Sequence, residues 1–350
     1  MTLPIAMISE RVAAGRRLLI YGAGSQGRGV LRSLRGGGLE PAGFIDRNPS
    51  LHGRTVGGLS VHGPSILDEP GAADRLFVVV AAFFFEREIA NLLESRGFIS
   101  GVGYVPYSEL KPRDYAVEVS GVCNLRCIAC PRASRPPAGR NAAMMDLATF
   151  GRVLDKIRRE DPFVGNLQLY QWGEPTLNRE LPAMIRLASE QGFLCSISSN
   201  LNHAADFRAL VEARPECLRL SVSGVRDEYA VTHTGGNWDA FLRNVETIGR
   251  LRHELYPEMK VELYYHCYRH SLGAPLEQVA ALSERLGFEF HPIPAYLISL
   301  DDVLAYGEGR PLPAPAREAR DLLLVDLDEG LRLAKAEAHL PCDALRVIQI

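Results

Sequence analysis

Short apolar runs recur along the chain, separated by segments whose apolar residues fall three and four apart, and the two periods mark strands and helices respectively. In the first hundred residues, 17–21 (Arg-Leu-Leu-Ile-Tyr) reads as a buried strand and Ser25 to Arg35 as a helix. Residues 42–46, 76–82 and 101–105 read as further strands, and Glu86 to Arg96 as a helix. Strands alternating with helices predict a parallel sheet covered on both faces. Residues 107–113, with prolines at 106 and 112 and short polar residues between, read as a linker.

The alternation resumes at Tyr115. Residues 115–120, 166–170, 193–199, 217–222, 260–266 and 289–291 read as strands, with helical runs between them at 147–159, 181–191, 205–212, 239–255 and 276–286. Serial βα units predict a partial (β/α)6 TIM-type barrel, whose functional residues gather at the C-terminal ends of its strands. The expected architecture is therefore α/β: a Rossmann-like parallel sheet over 1–108, the barrel over 109–338, and a short stub over 339–350. Pro311 to Pro315 breaks the pattern before one long helix, 317–338, and the last residues read as a strand with nothing after it, as in a truncated module.

A net charge of -3 gives no reason to expect nucleic acid or an anionic membrane as partner. No apolar run approaches a spanning helix, and the first residues lack the basic start and long apolar stretch of a signal peptide, so a cytoplasmic protein is expected. Seven scattered cysteines do not form the framework of a small secreted domain. Cys195, Cys217 and Cys267 lie in strand runs and read as small core residues.

Cys123, Cys127 and Cys130 are different. They form a C-x3-C-x2-C loop after the barrel's first strand, where three thiolates can hold one metal centre. A closed zinc site needs four ligands, usually in paired spacing, and no second pair is present. Iron–sulfur clusters normally take four cysteines, so a cluster on three leaves one iron open to a small molecule.

This loop resembles the signature of the radical S-adenosylmethionine (SAM) superfamily. The resemblance runs from about Tyr115 to His291. Gly173-Glu174-Pro175, after the second strand, is similar to the family's GGEP motif, which cradles the SAM amino group. Ser198-Ser199-Asn200 ends the third strand, where relatives have Thr-Asn-Gly, and Ser221-Val222-Ser223-Gly224 ends the fourth. Tyr229 and His233 follow, where many relatives place a tyrosine and then an arginine that contacts the SAM carboxylate. The resemblance implies a [4Fe–4S] cluster on Cys123, Cys127 and Cys130, and SAM held by Gly173, Glu174, Pro175, Ser198, Asn200, Ser221, Ser223 and His233. Three departures bear on positioning: Ala129 stands where a bulkier residue is usual, Trp172 replaces the first glycine of GGEP, and His233 replaces arginine.

Near strand ends, His266, Cys267 and Tyr296 are candidates to face a substrate, and Arg132, Arg135 and Arg140 make the loop after the cysteines basic. Pro341-Cys342 resembles the start of a SPASM extension, a cysteine-rich module that carries auxiliary clusters in other radical SAM enzymes. With Cys342 alone, one cluster per chain is expected. In the first domain, Gly22-x-Gly24-x-x-Gly27 follows a strand and opens a helix, and Asp46 closes the next strand, which is the context of a dinucleotide fingerprint. Together with Gly57-Gly58, this region resembles the N-terminal domain of bacterial sugar O-acyltransferases, implying a nucleotide or nucleotide-sugar ligand; a ligand-free scaffold stands beside that reading.

The leading expectation is an enzyme that reductively cleaves SAM to a 5′-deoxyadenosyl radical, which abstracts hydrogen from a small-molecule substrate, nucleotide-sugar or glycan-linked, with a reductant such as flavodoxin or ferredoxin. A peptide-modifying enzyme and a non-catalytic, cluster-binding regulator are the alternatives. The catalytic residues, product and oligomeric state are not legible.

Overall fold

The computed structural model describes residues 3–82, 85–110, 113–136, 138–161 and 163–324. Two six-stranded sheets organise these residues. The first contains β1 (Arg17–Tyr21), β2 (Gly43–Ile45), β3 (Thr55–Val56), β4 (Leu59–His62), β5 (Leu76–Val80) and β6 (Tyr104–Val105), in the order β3-β4-β2-β1-β5-β6. Its strands pair in parallel except β3 with β4. Because side chains alternate across a strand, Leu18 and Ile20 join one core while Leu19 and Tyr21 join the other. The first core is covered by the helices Leu3–Ala13 (Ile5, Ile8) and Ser25–Gly36 (Val30, Leu31, Leu34), and the second by Glu86–Ser95 (Ile89, Leu93). Both faces are therefore buried, as the uninterrupted apolar runs of β1 and β5 require.

The second sheet runs in chain order through β7 (Arg113–Ala116), β8 (Val164–Gln168), β9 (Cys195–Ser199), β10 (Cys217–Val222), β11 (Lys260–Cys267) and β12 (Glu289–Pro294), every neighbour parallel. Among the described residues the outer strands do not pair with each other, and the sheet forms a partial TIM-type barrel. Leu218, Leu220 and Val222 of β10 and Val261 and Leu263 of β11 pack against Leu154, Ile157, Met184, Phe241, Val245 and Ile248 of the surrounding helices. Each such side chain, fully buried, contributes roughly 1.5–3 kcal/mol. The alternate positions face the lumen and are polar: Arg219 lies 4.1 Å over the Tyr264 ring and hydrogen-bonds Glu262 at 3.3 Å.

The helix Ser25–Gly36 of the first unit packs against β8, and Phe163, at the foot of β8, sits in the first unit's core. The units thus meet at the N-terminal ends of the barrel strands. Within the stretch read as a linker, Tyr107–Leu110 forms a helical turn whose Tyr107 and Leu110 are buried in that core. The region expected as a long helix over 317–338 begins with Ala314–Leu322; its remainder, Cys342 and the terminal strand lie outside the described residues. No helix among the described residues is long and apolar enough to cross a membrane.

Candidate active site at the ends of the barrel strands

Beyond β7 the chain enters the cysteine loop, which is fastened on both sides. Arg126 N–H donates to Thr234 O (3.0 Å) and Ile128 N–H to Thr232 O (3.1 Å), tying the loop to the segment after β10. On the other side, Glu174 N–H donates to Val122 O at 2.8 Å. Within the loop, Cys130 N–H donates to Cys127 O (2.9 Å). All three cysteines are free thiols. Burial pushes Cys123 up to about 11, and burial together with the neighbouring thiols pushes Cys127 up; Cys130 is raised by burial too.

Among the described residues, the trio whose ligand atoms converge within 4.8 Å is Glu262, Glu289 and His291, not the cysteines. A single tetrahedral zinc with bonds of ~2.3 Å needs its sulfurs about 3.8 Å apart. The three cysteines lie near enough for their thiols to raise one another's pKa. Three neighbouring thiolates suit a cluster in which separate irons each take one. The Glu262 trio is already held by Lys260, whose ammonium lies 2.6 Å from Glu262 and 3.0 Å from Glu289.

The Gly173-Glu174-Pro175 segment lies against this loop. A Cβ on Gly173 would fall 1.8 Å from Ser120 O, so only glycine permits the approach. The amides of Trp172 and Gly173 both donate to Glu118 Oε1, at 3.0 and 2.7 Å, and Arg132 pairs with the other Glu118 oxygen at 3.2 Å. Glu174 is buried and caps the 3₁₀ turn Pro175–Leu177, with Pro175 in the first position, where its missing N–H costs nothing. Its carboxylate accepts from Thr176 N (3.1 Å), Thr176 Oγ1, Ser199 Oγ (2.9 Å) and Asn200 N (2.8 Å). Asn200 closes the circuit: its amide nitrogen lies 3.6 Å from Cys123 Sγ and 3.0 Å from Asn124 Oδ1.

The β10 end forms a second cluster. Ser223 Oγ lies 2.8 Å from His233 Nδ1 and also contacts Thr232 Oγ1. His233 stacks on Tyr229 with centroids 4.4 Å apart, and Tyr229 accepts from Asn202 Nδ2 at 2.7 Å. Burial, reinforced by His266, drives the His233 pKa down to about 3, so the ring is neutral. Ser198 and Ser221 occupy half-buried positions within β9 and β10, facing the lumen.

The structure thus brings Cys123, Gly173, Glu174, Pro175 and Asn200 into one unit, with Ser223 and His233 in an adjoining one. Glu118, Thr176 and Ser199, which fasten that unit, are not apparent as site residues from sequence. Glu118 had one signal, a carboxylate inside an otherwise apolar strand run.

In the first unit, a Cβ on Gly27 would lie 1.8 Å from Gly22 O, and Gly22 has φ +111 with Ala81 O at 2.9 Å from its Cβ position. Gly24 has open space. Asp46 spends one carboxylate oxygen on Ala23 N and the other on Asn48 N, both at 2.8 Å. The glycines and the acid hold one turn together.

Residues 117–255 match the Radical SAM superfamily. The chain is 25% identical over 160 residues to 7,8-dihydro-6-hydroxymethylpterin dimethyltransferase of Methanocaldococcus jannaschii, covering 44% of this chain and 31% of that protein, so it spans about a third of the relative's length. Among solved structures, Streptococcus suis SuiB bound to precursor peptide SuiA is 16% identical, covering 61% of this chain and 52% of that one, with a TM-score of 0.41. Native anSMEcpe with bound AdoMet is 14% identical, covering 58% and 63%, with a TM-score of 0.40. The cysteine triplet and the clamped glutamate both lie inside this matched segment, a Radical SAM domain, whose superfamily works with a [4Fe–4S] cluster and SAM.

Proposed function

We propose that Cys123, Cys127 and Cys130 each donate one thiolate to the cluster, and that Glu174, with Gly173 and Pro175, receives the SAM amino group. The observation that carries this reading is the Glu174 circuit, a buried carboxylate held by four donors and joined through Asn200 to the Cys123 sulfur. With both cofactors held there, and one electron from a reductant such as flavodoxin or ferredoxin, the site would supply reductive cleavage of the SAM C5′–S bond, releasing methionine and enabling hydrogen-atom abstraction from substrate.

The chain's own residues bind, orient and exclude water. Four hydrogen bonds fix the Glu174 carboxylate, so a bound ammonium meets a preorganised acceptor. Gly173 lets the backbone of that segment touch the cysteine loop, which couples the two cofactor sites in position. His233, neutral and bonded through Nδ1 to Ser223, offers a hydrogen bond and no positive charge, so it serves SAM as a polar partner and not as an ionic one. Ser198 and Ser221 line the lumen beside it.

The substrate is a small molecule, with the C-terminal mouth of the lumen, beside His266 at the end of β11, as its place. A peptide substrate is the competing outcome. The first unit, residues 1–108, is a Rossmann-like domain that takes a nucleotide or nucleotide-sugar at Gly22, Gly24, Gly27 and Asp46. The barrel spans 109–338, followed at Pro341-Cys342 by a SPASM-like sequence. Anaerobic reconstitution, followed by reductant and SAM, tests the central claim: 5′-deoxyadenosine forms. If none forms while EPR verifies the cluster, the proposal fails.

A further inference from the structure

Where the two units meet, a cavity of about 270 Å³ opens between the helix Ser25–Gly36 and the N-terminal ends of β9 and β10. It lies at the opposite end of the strands from the cysteines. Arg28, Arg32 and Arg214 line it, with Glu216 the one carboxylate among the described lining residues, and Phe193 and Tyr256 form an apolar wall. Arg28 and Arg32 stand one helical turn apart, so both heads reach the same side of their helix. Arg28 pairs with Glu216. Arg32 donates to the Phe193 carbonyl at 3.2 Å, and its stem packs on Gly192. Burial lowers its pKa, which is the cost of holding a guanidinium there.

Arg214 supplies an independent observation. It follows the helix Phe207–Glu212 with φ +59, a left-handed conformation that glycine adopts freely and arginine does not. This backbone brings the guanidinium to the cavity, 5.4 Å over the Tyr256 ring.

We propose that this cleft binds a small phosphorylated metabolite, its phosphate dianion held by Arg28, Arg32 and Arg214 and its organic part lying against Phe193 and Tyr256. Three guanidinium groups against one carboxylate leave an excess of two positive charges, matched by a phosphomonoester dianion, and forked guanidinium donors suit phosphate oxygens. The cavity exceeds the volume of phosphate alone, which leaves room for the ester. A ligand seated there touches both units and would report the occupancy of one to the other.

The test is anaerobic calorimetry on the reconstituted full chain, titrating glycerol 3-phosphate and inorganic phosphate against sodium chloride at equal ionic strength. A saturable heat is expected for both, tighter for the phosphomonoester. Arg214→Gly relieves the backbone strain, so its urea midpoint without ligand is expected at or above that of the parent, while its affinity falls by at least about tenfold. Arg32→Gln is expected to lose a similar factor, and Arg250→Gln, an exposed arginine outside the cavity, to lose none; Gly24→Val reports on phosphate at the glycine turn. No saturable heat beyond chloride overturns the proposal, as does undiminished affinity in both arginine variants. Loss in Gly24→Val alone also overturns it, by assigning phosphate to the glycine turn.

Discussion

Replacing Gly173 with alanine puts the join between the two cofactor sites under direct strain. The new Cβ would lie 1.8 Å from Ser120 O and 2.8 Å from Val122 O, where real Cβ contacts stay above 3.0 Å. Both obstacles are backbone, so no side chain can swing aside, and the segments must part by at least about 1.2 Å, the gap between 1.8 and 3.0 Å. That movement stretches the bonds from Trp172 and Gly173 to Glu118 and from Glu174 to Val122. Hydrogen bonds to a charged group contribute about 1.5–3 kcal/mol each, so partial loss of the two to Glu118 gives a destabilisation of about 2–4 kcal/mol. The Glu174 carboxylate moves with its segment, and a displacement near 1 Å costs about 100-fold in rate. Urea unfolding and 5′-deoxyadenosine formed per cluster are the two readouts. Gly151→Ala is the control: its Cβ would meet Leu187 at 3.8 Å, ordinary contact, so this helix position should be neutral or gain about 0.5–1 kcal/mol. A Gly173→Ala protein with an unchanged urea midpoint and turnover within about threefold of the parent would refute the close-approach argument.

Three further outcomes are expected. Glu174→Gln replaces an acceptor oxygen by an NH2 that faces the donors of Thr176, Ser199 or Asn200, and should cost about 2–4 kcal/mol in a chemical melt and weaken SAM binding at least tenfold, roughly; unaltered SAM affinity by calorimetry would remove Glu174 from the binding site. Cys127→Ala should abolish the cluster's visible absorption, with the parent holding about four irons per chain; near eight would establish a second cluster. His233, buried, and His266, half-buried, are neutral, at about 3 and about 4, against an unfolded value near 6.5, so the unfolded chain binds more protons below neutrality and stability falls as pH drops from about 6.5 towards those values. Urea midpoints between pH 7 and 5 should decline, and the decline should shrink in His233→Gln; an equal slope in both proteins would mean His233 is not neutral in the folded state.

The barrel was legible because its strands alternate strictly: Leu218, Leu220 and Val222 against Cys217, Arg219 and Ser221 leave little doubt about period or face. The cysteine loop and Glu174 were legible because their residue types are chemically uncommon at strand ends. Thr176 and Ser199 were not, since hydroxyls at strand ends are ordinary and only three-dimensional convergence aims them at one carboxylate. His233 stands where relatives have arginine, and its charge is not legible from that exchange; burial makes it neutral, with Ser223 as its polar partner. In the first unit, the β3–β4 hairpin was passed over although Gly57 and Gly58 have φ of +56 and +82, the paired positive values of a two-residue turn. The helix at Tyr107–Leu110 was hidden by its prolines, because tertiary burial of Tyr107 and Leu110 overrides local composition there.

An unclosed barrel leaves two raw strand edges, and β12 shows how one of them is kept from recruiting a foreign strand. Ala295 N–H donates to Cys267 O, so the alternate amides of β12 point towards β11. Residues 292 and 294 then present their nitrogens outward, and both are proline. At these two positions the exposed rim has no N–H to offer, so it is a poor template for edge-to-edge aggregation. The same gap can stay wide as an entrance without becoming sticky.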